Sequence, residues 1–599
     1  MTQPRNTPPQ TSTTQHLWER PVPNIGDTSS AAQRAETLNG WAYPTSAQGA
    51  LRDIITSRRD VRRFRPDPIP EDLIHYILES AHLGPSVGHS QPWRFIIVTD
   101  PSTRDHAALM AERAKIAQAQ TMTTERGSQL LDLKVEGIRE APIGIIVACD
   151  RRTPAPGVLG RATFPDADLW SCAAAMQNMW LTARAAGLGM GWVTLFEPDE
   201  LAQLVDLPQN VEPLGWLCIG WPDELPPSPG LERRAWSKRL PLEPLIMRER
   251  WNNTTPAPTS HLHAPDQNAH VATYDEADLL LTAPGSLGKL DIAINKIITA
   301  GRINFTTATL VTACADHPVH DLGVTAFPNS ITRVVAEAGI AGKAVGTTMA
   351  AANGFNSIII DCGVGTSSDS SPITAADHTH RPTGPRGDIM HTDALTPRDV
   401  DMLITAGRTR GNTLADQGLV LLGEVGLGNT TIAAALTAAT VGLPAHKAVG
   451  LGTASDTAML ERKTHVVRAA LERIGLTEGK KAPASTTSAE LLTHLGGGEF
   501  AYLYGLILGT AEKSGIVVLD GLATSIPALL AAREEPGVAA YLVAGQVSRE
   551  FSHQAVLQEL GLEALIDARI RAGEGVGAIL GATMLLTGLT VRRDSARTA

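Results

Sequence analysis

The sequence predicts two domains, the second of them an α/β fold built on a parallel sheet, and three observations lead there. A chain of 599 residues exceeds what one hydrophobic core ordinarily supports. Between Asn252 and Val271 the apolar patterning gives way to Asn, Thr, Pro, Ser and His, as an interdomain linker does. Beyond it, apolar runs at Thr309 to Ala313, Ser357 to Asp361, Leu419 to Leu422 and Ile516 to Leu519 each end in a Gly-rich or polar turn. That βα rhythm predicts parallel strands with sites at their carboxyl ends.

The organisation then reads as follows. Residues 1–47 are polar and rich in Thr, Gln and Pro, and form a disordered lead-in without the apolar core of a secretory signal. Residues 48–251 form the first domain, with strand-like runs at Phe95 to Val98 and Ile143 to Ala148 and a helix-spaced run from Leu169 to Ala186. A linker spans 252–271, the second domain 272–592 and a short tail 593–599. Within the second domain, Gly365 to Gly387 reads as an exposed loop. The apolar stretch from Gly575 to Val591 falls short of a membrane span and reads as a buried helix.

Composition narrows the function. With 43% hydrophobic and 19% charged residues the chain is globular, and a net charge of -11 gives no basic footprint for a nucleic acid. The five cysteines are scattered without a Cys-x-x-Cys pair, which indicates buried small hydrophobes in a reducing compartment, and the protein is placed in the cytoplasm. His261-Leu262-His263 and His378-Thr379-His380 lack a further ligand at regular spacing, so no metal is expected.

In the first domain four arginines, Arg58, Arg59, Arg62 and Arg63, fall within six residues after a helical segment. Guanidinium forks suit a phosphate, although an arginine run alone is more often a solvated helix end. Its company decides the matter: Gly84-Pro85-Ser86-Val87-Gly88, then Gln91-Pro92-Trp93, Gly189-Met190-Gly191-Trp192-Val193 and a late Arg239. Together these segments resemble the nitroreductase fold, an α+β dimer that binds FMN. The resemblance places Arg58, Arg59, Arg62, Ser86, Gln91 and Arg239 at the flavin. With Asp60, Glu136 to Arg139, Val158 to Arg161, Gln177 to Trp180 and Lys238 to Glu243, it narrows to the flavin-destroying branch, the 5,6-dimethylbenzimidazole synthases.

That branch implies that reduced FMN is a substrate, fragmented with O2 to release the benzimidazole, and that a separate flavin reductase supplies it. Breaking the ribityl carbon skeleton needs proton removal from a weakly acidic site, and the matching carboxylate is Asp60. The branch's catalytic serine is here Thr194, which keeps a hydroxyl but stiffens χ1.

In the second domain Ala283 to Leu290 opens the fold, Asp316-His317 follows an apolar strand, and Leu421 to Thr431 runs from a strand into Gly426, Gly428, Asn429 and Thr430. Such a turn offers free N–H groups and a helix N-terminus to a phosphate, yet lacks the Gly-Lys-Ser/Thr ending of a P-loop. Together with Lys463, Gly496 to Phe500, Asp520-Gly521 and Gly573 to Ala578 it resembles the nicotinate-nucleotide:dimethylbenzimidazole phosphoribosyltransferases. The resemblance implies transfer of phosphoribose from nicotinate mononucleotide to the benzimidazole. It makes Glu574 the base that takes the benzimidazole proton, and Glu424, Lys463, Asp316 and His317 substrate-binding groups. Phe327 and Val335 stand where polar side chains often line the base pocket.

The fold class expected is therefore an N-terminal α+β nitroreductase-like domain and a C-terminal α/β domain with a parallel sheet and a small helical subdomain. The function expected is a dimer-based, bifunctional enzyme of cobalamin lower-ligand synthesis, without a nucleic-acid or membrane partner. Two alternatives stand beside it: a pyridine-nucleotide-dependent nitroreductase fused to a transferase for another base, and a second half that only binds benzimidazoles.

Overall fold

A computed structural model of the chain describes residues 17–19, 31–251, 259–365, 371–452 and 456–598. They fall into two compact units, a first within residues 32–255 and a second within residues 256–599 that also takes in the described residues up to Ala31.

In the first unit, helices α1 (Thr45–Ser57) and α2 (Glu71–His82) precede strand β1 (Trp93–Val98) and helix α3 (Pro101–Gln120). Strand β2 (Ile143–Asp150), helix α4 (Ala167–Ala185), strand β3 (Gly189–Val193) and strand β4 (Val211–Gly220) follow. The strands form one antiparallel sheet in the order β1-β2-β4-β3. Seven consecutive residues of β2 are buried because both faces are covered. Ile145 and Val147 pack on one face with residues of α2 and α4, and Ile146 on the other with Ala107, Ala108 and Ala111 of α3. This two-sided burial is why β2 reads as a continuous apolar run rather than an alternating one.

In the second unit, helices α5 (Gln267–Asp278) and α6 (Lys289–Thr299) lead into strand β5 (Ala308–Cys314), helices α7 (Ile331–Ile340) and α8 (Val345–Ala352) and strand β6 (Asn356–Asp361). Then come helix α9 (Pro397–Leu414), strand β7 (Leu419–Val425), helices α10 (Asn429–Val441), α11 (Thr457–Arg473) and α12 (Gly498–Glu512), and strand β8 (Val517–Leu519). Helix α13 (Leu522–Glu534), strand β9 (Leu542–Ala544) and helix α14 (Val576–Asp594) complete it. The five strands are all parallel, in the order β6-β5-β7-β8-β9. Because the order reverses between β5 and β7, a crevice opens there at the carboxyl ends of the strands. Cys314, Asp361 and Val425 are in register at that edge, so acids at or just beyond it, Asp361, Asp316 and Glu424, converge there.

Several expectations need correction. Residues 252–258 of the expected linker lie outside the described residues, but its remainder belongs to the second unit. Glu535 Oε2 accepts from Ser260 Oγ at 2.6 Å and from the N–H groups of His261 and Leu262 at 2.8 and 2.9 Å. Leu262 is buried in the core, Tyr541 donates to the His263 carbonyl at 3.0 Å, and α5 begins at Gln267. The tail is likewise tied down: Thr598 N–H donates to the Leu279 carbonyl at 2.7 Å and Trp18 N–H to the Arg597 carbonyl at 3.0 Å. Of the lead-in, residues 1–16 and 20–30 are not described, whereas 31–36 form a helical turn and α1 begins at Thr45.

The stretch from 371 to 387 has no regular structure, yet it is not simply exposed. Ile373 and Ala376 are buried, and Arg381 forms an ion pair of 2.8 Å with buried Asp361. The apolar stretch near the end is the expected buried helix, α14, and all five cysteines are buried and unbridged. Among the described residues no helix is long and apolar enough to cross a membrane.

Candidate functional sites

In the first unit the segment after α1 runs beside β3, with a backbone bridge from Asp60 to Met190 and Val61 N–H donating to the Met190 carbonyl at 3.0 Å. This pairing fixes Asp60. Its Oδ1 accepts from Trp192 N–H at 3.1 Å and its Oδ2 from Arg62 Nη2 at 2.5 Å. The side chain keeps 46% exposure, yet protein crowds it closely enough for lost solvation to hold its pKa above the usual carboxylate range, against the lowering by Arg62 and the Trp192 N–H. Such a carboxylate, open on one side and poorly solvated on the other, is suited to take a proton.

The arginines divide their labour. Arg58 lies over the Trp180 ring, 4.6 Å from its centroid. Arg59 spends four of its donors on main-chain carbonyls of Thr56, Arg58, Pro226 and Pro227, so it clamps the chain more than it offers a phosphate grip. Arg62 also donates to the Trp192 carbonyl at 2.8 Å, and its buried Nη1 has no partner among the described residues. Ser86 Oγ accepts from Gln91 N–H at 3.1 Å across a loop in which Gly88, His89 and Gln91 all have positive φ, a conformation the hydroxyl helps to hold. Thr194 is exposed just past β3, and Arg239 is exposed with its N–H on Glu232 at 3.2 Å. Glu224, which accepts from Arg62 N–H at 3.3 Å, is an addition that sequence reasoning did not single out, whereas Trp192 and Trp180 lay within its motifs without an assigned role.

The second unit holds a cavity of about 260 Å³ at the carboxyl ends of β7, β8 and β9, walled on one side by residues between 324 and 335. It brings together Glu574, Glu424, Gly426, Gly428, Asn429, Thr430 and Lys463, with Phe327 and Val335 on its apolar wall. The turn after β7 reaches α10 through Gly428 at φ 87°, and Lys463 Nζ on α11 donates to Thr430 Oγ1 at 3.3 Å. Burial lowers the Lys463 ammonium below its usual range, against the pull of Glu550. Glu424 accepts from Asn429 Nδ2, and burial pushes its carboxyl up to about 8, the hydrogen bond from Asn429 opposing and Glu499, Asp520 and Glu574 reinforcing. Burial thus favours the protonated form of this acid.

Glu574 sits at φ 58° between two glycines that also have positive φ, a three-residue left-handed turn that only its surroundings can hold. Gly346 N–H, in the first turn of α8, donates to Glu574 Oε2 at 3.0 Å, and a Cβ at Gly346 would meet the Glu574 carbonyl oxygen at 2.2 Å. From below, buried Asp520 accepts from Gly577 N–H at 2.7 Å, Gln546 Nε2 at 3.0 Å and Gly575 N–H at 3.3 Å.

Asp316 and His317 are corrected. Neither lines the cavity. Asp316 accepts from Thr332 Oγ1, from Gly365 N–H at 2.7 Å and from Leu427 N–H at 3.2 Å, tying together the segments that form the wall. His317 Nε2 lies 2.6 Å from Glu499 Oε1 in the interior. Their place beside the strand end is correct, but both side chains turn inward, where the unpaired loop backbone needs partners.

Residues that sequence reasoning missed are Gln546, Ser548, Arg549, Glu550 and Arg571 on the cavity wall. The first four follow β9, so the strand-end rule would have found them had that three-residue strand been legible. His553 holds this segment. Its Nδ1 accepts from Ser548 N–H at 2.9 Å, so Nε2 carries the proton and donates to Ser525 Oγ at 3.0 Å. Burial lowers its pKa from 6.5 to about 4. A base whose folded value is depressed adds stability that is complete above pH 6.5 and drains away as pH falls towards 4, up to roughly 3 kcal/mol. Denaturant unfolding of the second unit is therefore expected to weaken more steeply between pH 7 and 5 in the native chain than in His553→Gln. Equal slopes would remove His553 from the acid response.

A phosphoribosyltransferase family model matches residues 262–599, and a nitroreductase family model matches residues 55–221. The chain is 40% identical over 200 residues to a 5,6-dimethylbenzimidazole synthase of Rhodospirillum rubrum, covering 33% of this chain and 95% of that protein. It is 34% identical over 320 residues to a nicotinate-nucleotide–dimethylbenzimidazole phosphoribosyltransferase of Chloroflexus aurantiacus, covering 53% of this chain and 88% of the relative. The crystal structure of CobT from Thermus thermophilus superposes with a TM-score of 0.50 at 31% identity, over 54% of this chain and 96% of that one.

Proposed function

Because the chain belongs to the phosphoribosyltransferase family through residues 262–599 and carries a nitroreductase-family region before it, we propose that it makes 5,6-dimethylbenzimidazole and then activates it. The first half consumes reduced FMN and O2. The second transfers phosphoribose from nicotinate mononucleotide to the benzimidazole, giving α-ribazole 5'-phosphate and nicotinate.

The observation that carries this reading is the cavity at the carboxyl ends of β7, β8 and β9, which gathers Glu574, Glu424, Lys463 and a glycine-rich helix start in one crevice. Gly426 to Thr430 and Lys463 hold the phosphate, as a helix N-terminus and a nearby cation do. The planar base lies against Phe327 and Val335. As the ring nitrogen attacks the ribose carbon and nicotinate departs with the bonding pair, the other ring N–H becomes acidic and Glu574 takes its proton. Because burial favours protonated Glu424, it adds less like-charge repulsion to that carboxylate.

In the first half, FMN supplies the carbon skeleton that becomes the benzimidazole. The donor set fits such a ligand: Asp60 is open beside the cation Arg62, with Arg58 close enough to act on it electrostatically. Asp60 removes a proton from the ribityl chain, Thr194 offers a hydroxyl to the substrate, and Arg58, with Arg239, balances the phosphate charge. Domains at 48–251 and 272–592, extended by the packed segment from 259, a dimer-based assembly, a separate flavin reductase and a cytoplasmic location complete the reading.

Aerobic incubation of the full chain with reduced FMN and nicotinate mononucleotide is expected to yield α-ribazole phosphate by mass spectrometry. Supplying dimethylbenzimidazole directly separates the two steps. Absence of product in that second arm would overturn the transferase assignment, and oxidation of a pyridine nucleotide with nitroaromatics would favour the nitroreductase alternative.

A further inference from the structure

Beside Glu574 lies a second, much smaller void of about 10 Å³. Val335, Val425 and Glu574 line both spaces, so the glutamate stands in the partition between them. The void's remaining wall includes Thr312 and Cys314 from β5, and Gly346 and Thr347 from α8. Thr312 is 3% exposed, and its Oγ1 has no hydrogen-bond partner among the described residues. A hydroxyl buried in this way costs stability unless something answers it. The space matches one water molecule, which needs about 10–15 Å³ and two to four polar partners.

We propose that the void holds one water that links the Thr312 hydroxyl to the Glu574 carboxylate, making Thr312 a positioning residue for the transferase. The Thr312 hydroxyl donates to the water, and the water donates to Glu574 Oε2. Its second hydrogen goes to Thr347 Oγ1, whose own hydrogen is on the Ala344 carbonyl at 3.2 Å. With Gly346 N–H already on Oε2 at 3.0 Å, the water gives that oxygen a second donor. The carboxylate plane is thereby fixed and the other oxygen, Oε1, is left facing the cavity for the substrate proton. The held turn alone does not achieve this, because φ and ψ of Glu574 do not set its terminal, broad χ3 torsion.

The inference rests on reading Glu574 as the base, and the test separates the two. Dimethylbenzimidazole and nicotinate mononucleotide are supplied to the full chain, and steady-state rates are measured for Glu574→Gln, Thr312→Val and Thr312→Ser. Valine keeps the shape of threonine without the hydroxyl. Thr312→Val is expected to lower kcat by roughly tenfold, a part of the 10² to 10⁴ that a positioned base contributes. Both KM values should stay unchanged, and Thr312→Ser should stay within about twofold of the native rate. If Glu574→Gln is slow but Thr312→Val runs at the native rate, with a higher unfolding midpoint, the void is dry and the proposal falls alone. If valine and serine variants slow equally, packing rather than the hydroxyl is responsible and the proposal also falls. A native rate in Glu574→Gln overturns both readings.

Discussion

Glu574→Gln is expected to leave the affinity for nicotinate mononucleotide nearly unchanged while lowering transferase turnover by roughly 10² to 10⁴-fold, the range for losing a positioned base. The amide oxygen can still accept from Gly346 N–H, and glutamine tolerates the left-handed turn no worse than glutamate does. The fold of the Gly573 to Gly575 segment therefore persists, held from below by Asp520. What is lost is the ability to accept a proton. With dimethylbenzimidazole supplied, nicotinate release reports this step alone. Turnover at the native rate would move the base elsewhere, and Glu424→Gln would be measured next.

Asp60→Asn should lower benzimidazole formation from reduced FMN at least about a hundredfold, with flavin binding close to native. Asparagine keeps an acceptor for Trp192 N–H, so the bridge between residues 60 and 190 survives. It removes both the proton acceptor and the counter-charge of Arg62. Flavin affinity, followed by fluorescence quenching, and benzimidazole yield, followed by mass spectrometry, are thus expected to separate. Near-native yield would exclude Asp60 from the chemistry.

How far the sequence announces this structure depends on how local each feature is. β5, β7 and β8 are visible as apolar runs because inner parallel strands are covered on both faces, and the edge strand β6 by its Ile358 to Ile360 run. β4 is obscured by Pro213 and Gly215, and β9 is only three residues long. The cavity residues legible in advance belong to short motifs after strands, such as Gly426 to Thr430. Asp520 is visible as a residue but not as a support, since Gly575 and Gly577 lie more than fifty positions along the chain. The inward turn of Asp316 and His317 is equally hidden: an acid and an imidazole after a strand look the same from sequence whether they meet substrate or the backbone of a neighbouring loop. The expected linker runs too far because Ser260 to His263 are polar or isolated in sequence, and only Glu535, far downstream, gives them a place.

That last contact also governs where the chain can be divided. A separately expressed C-terminal half that starts at α5 omits the segment from Thr259 to Asp266, although nothing in its helices or strands is cut. Its Glu535 then loses three donors, Tyr541 loses the His263 carbonyl, and the groove that Leu262 fills opens to water. Exposing one leucine-sized patch of core costs about 1.5–3 kcal/mol, enough to make such a half look unstable on its own. A half that begins before Thr259 keeps its own seal, and dissection at that point compares the two enzymes without crippling one of them.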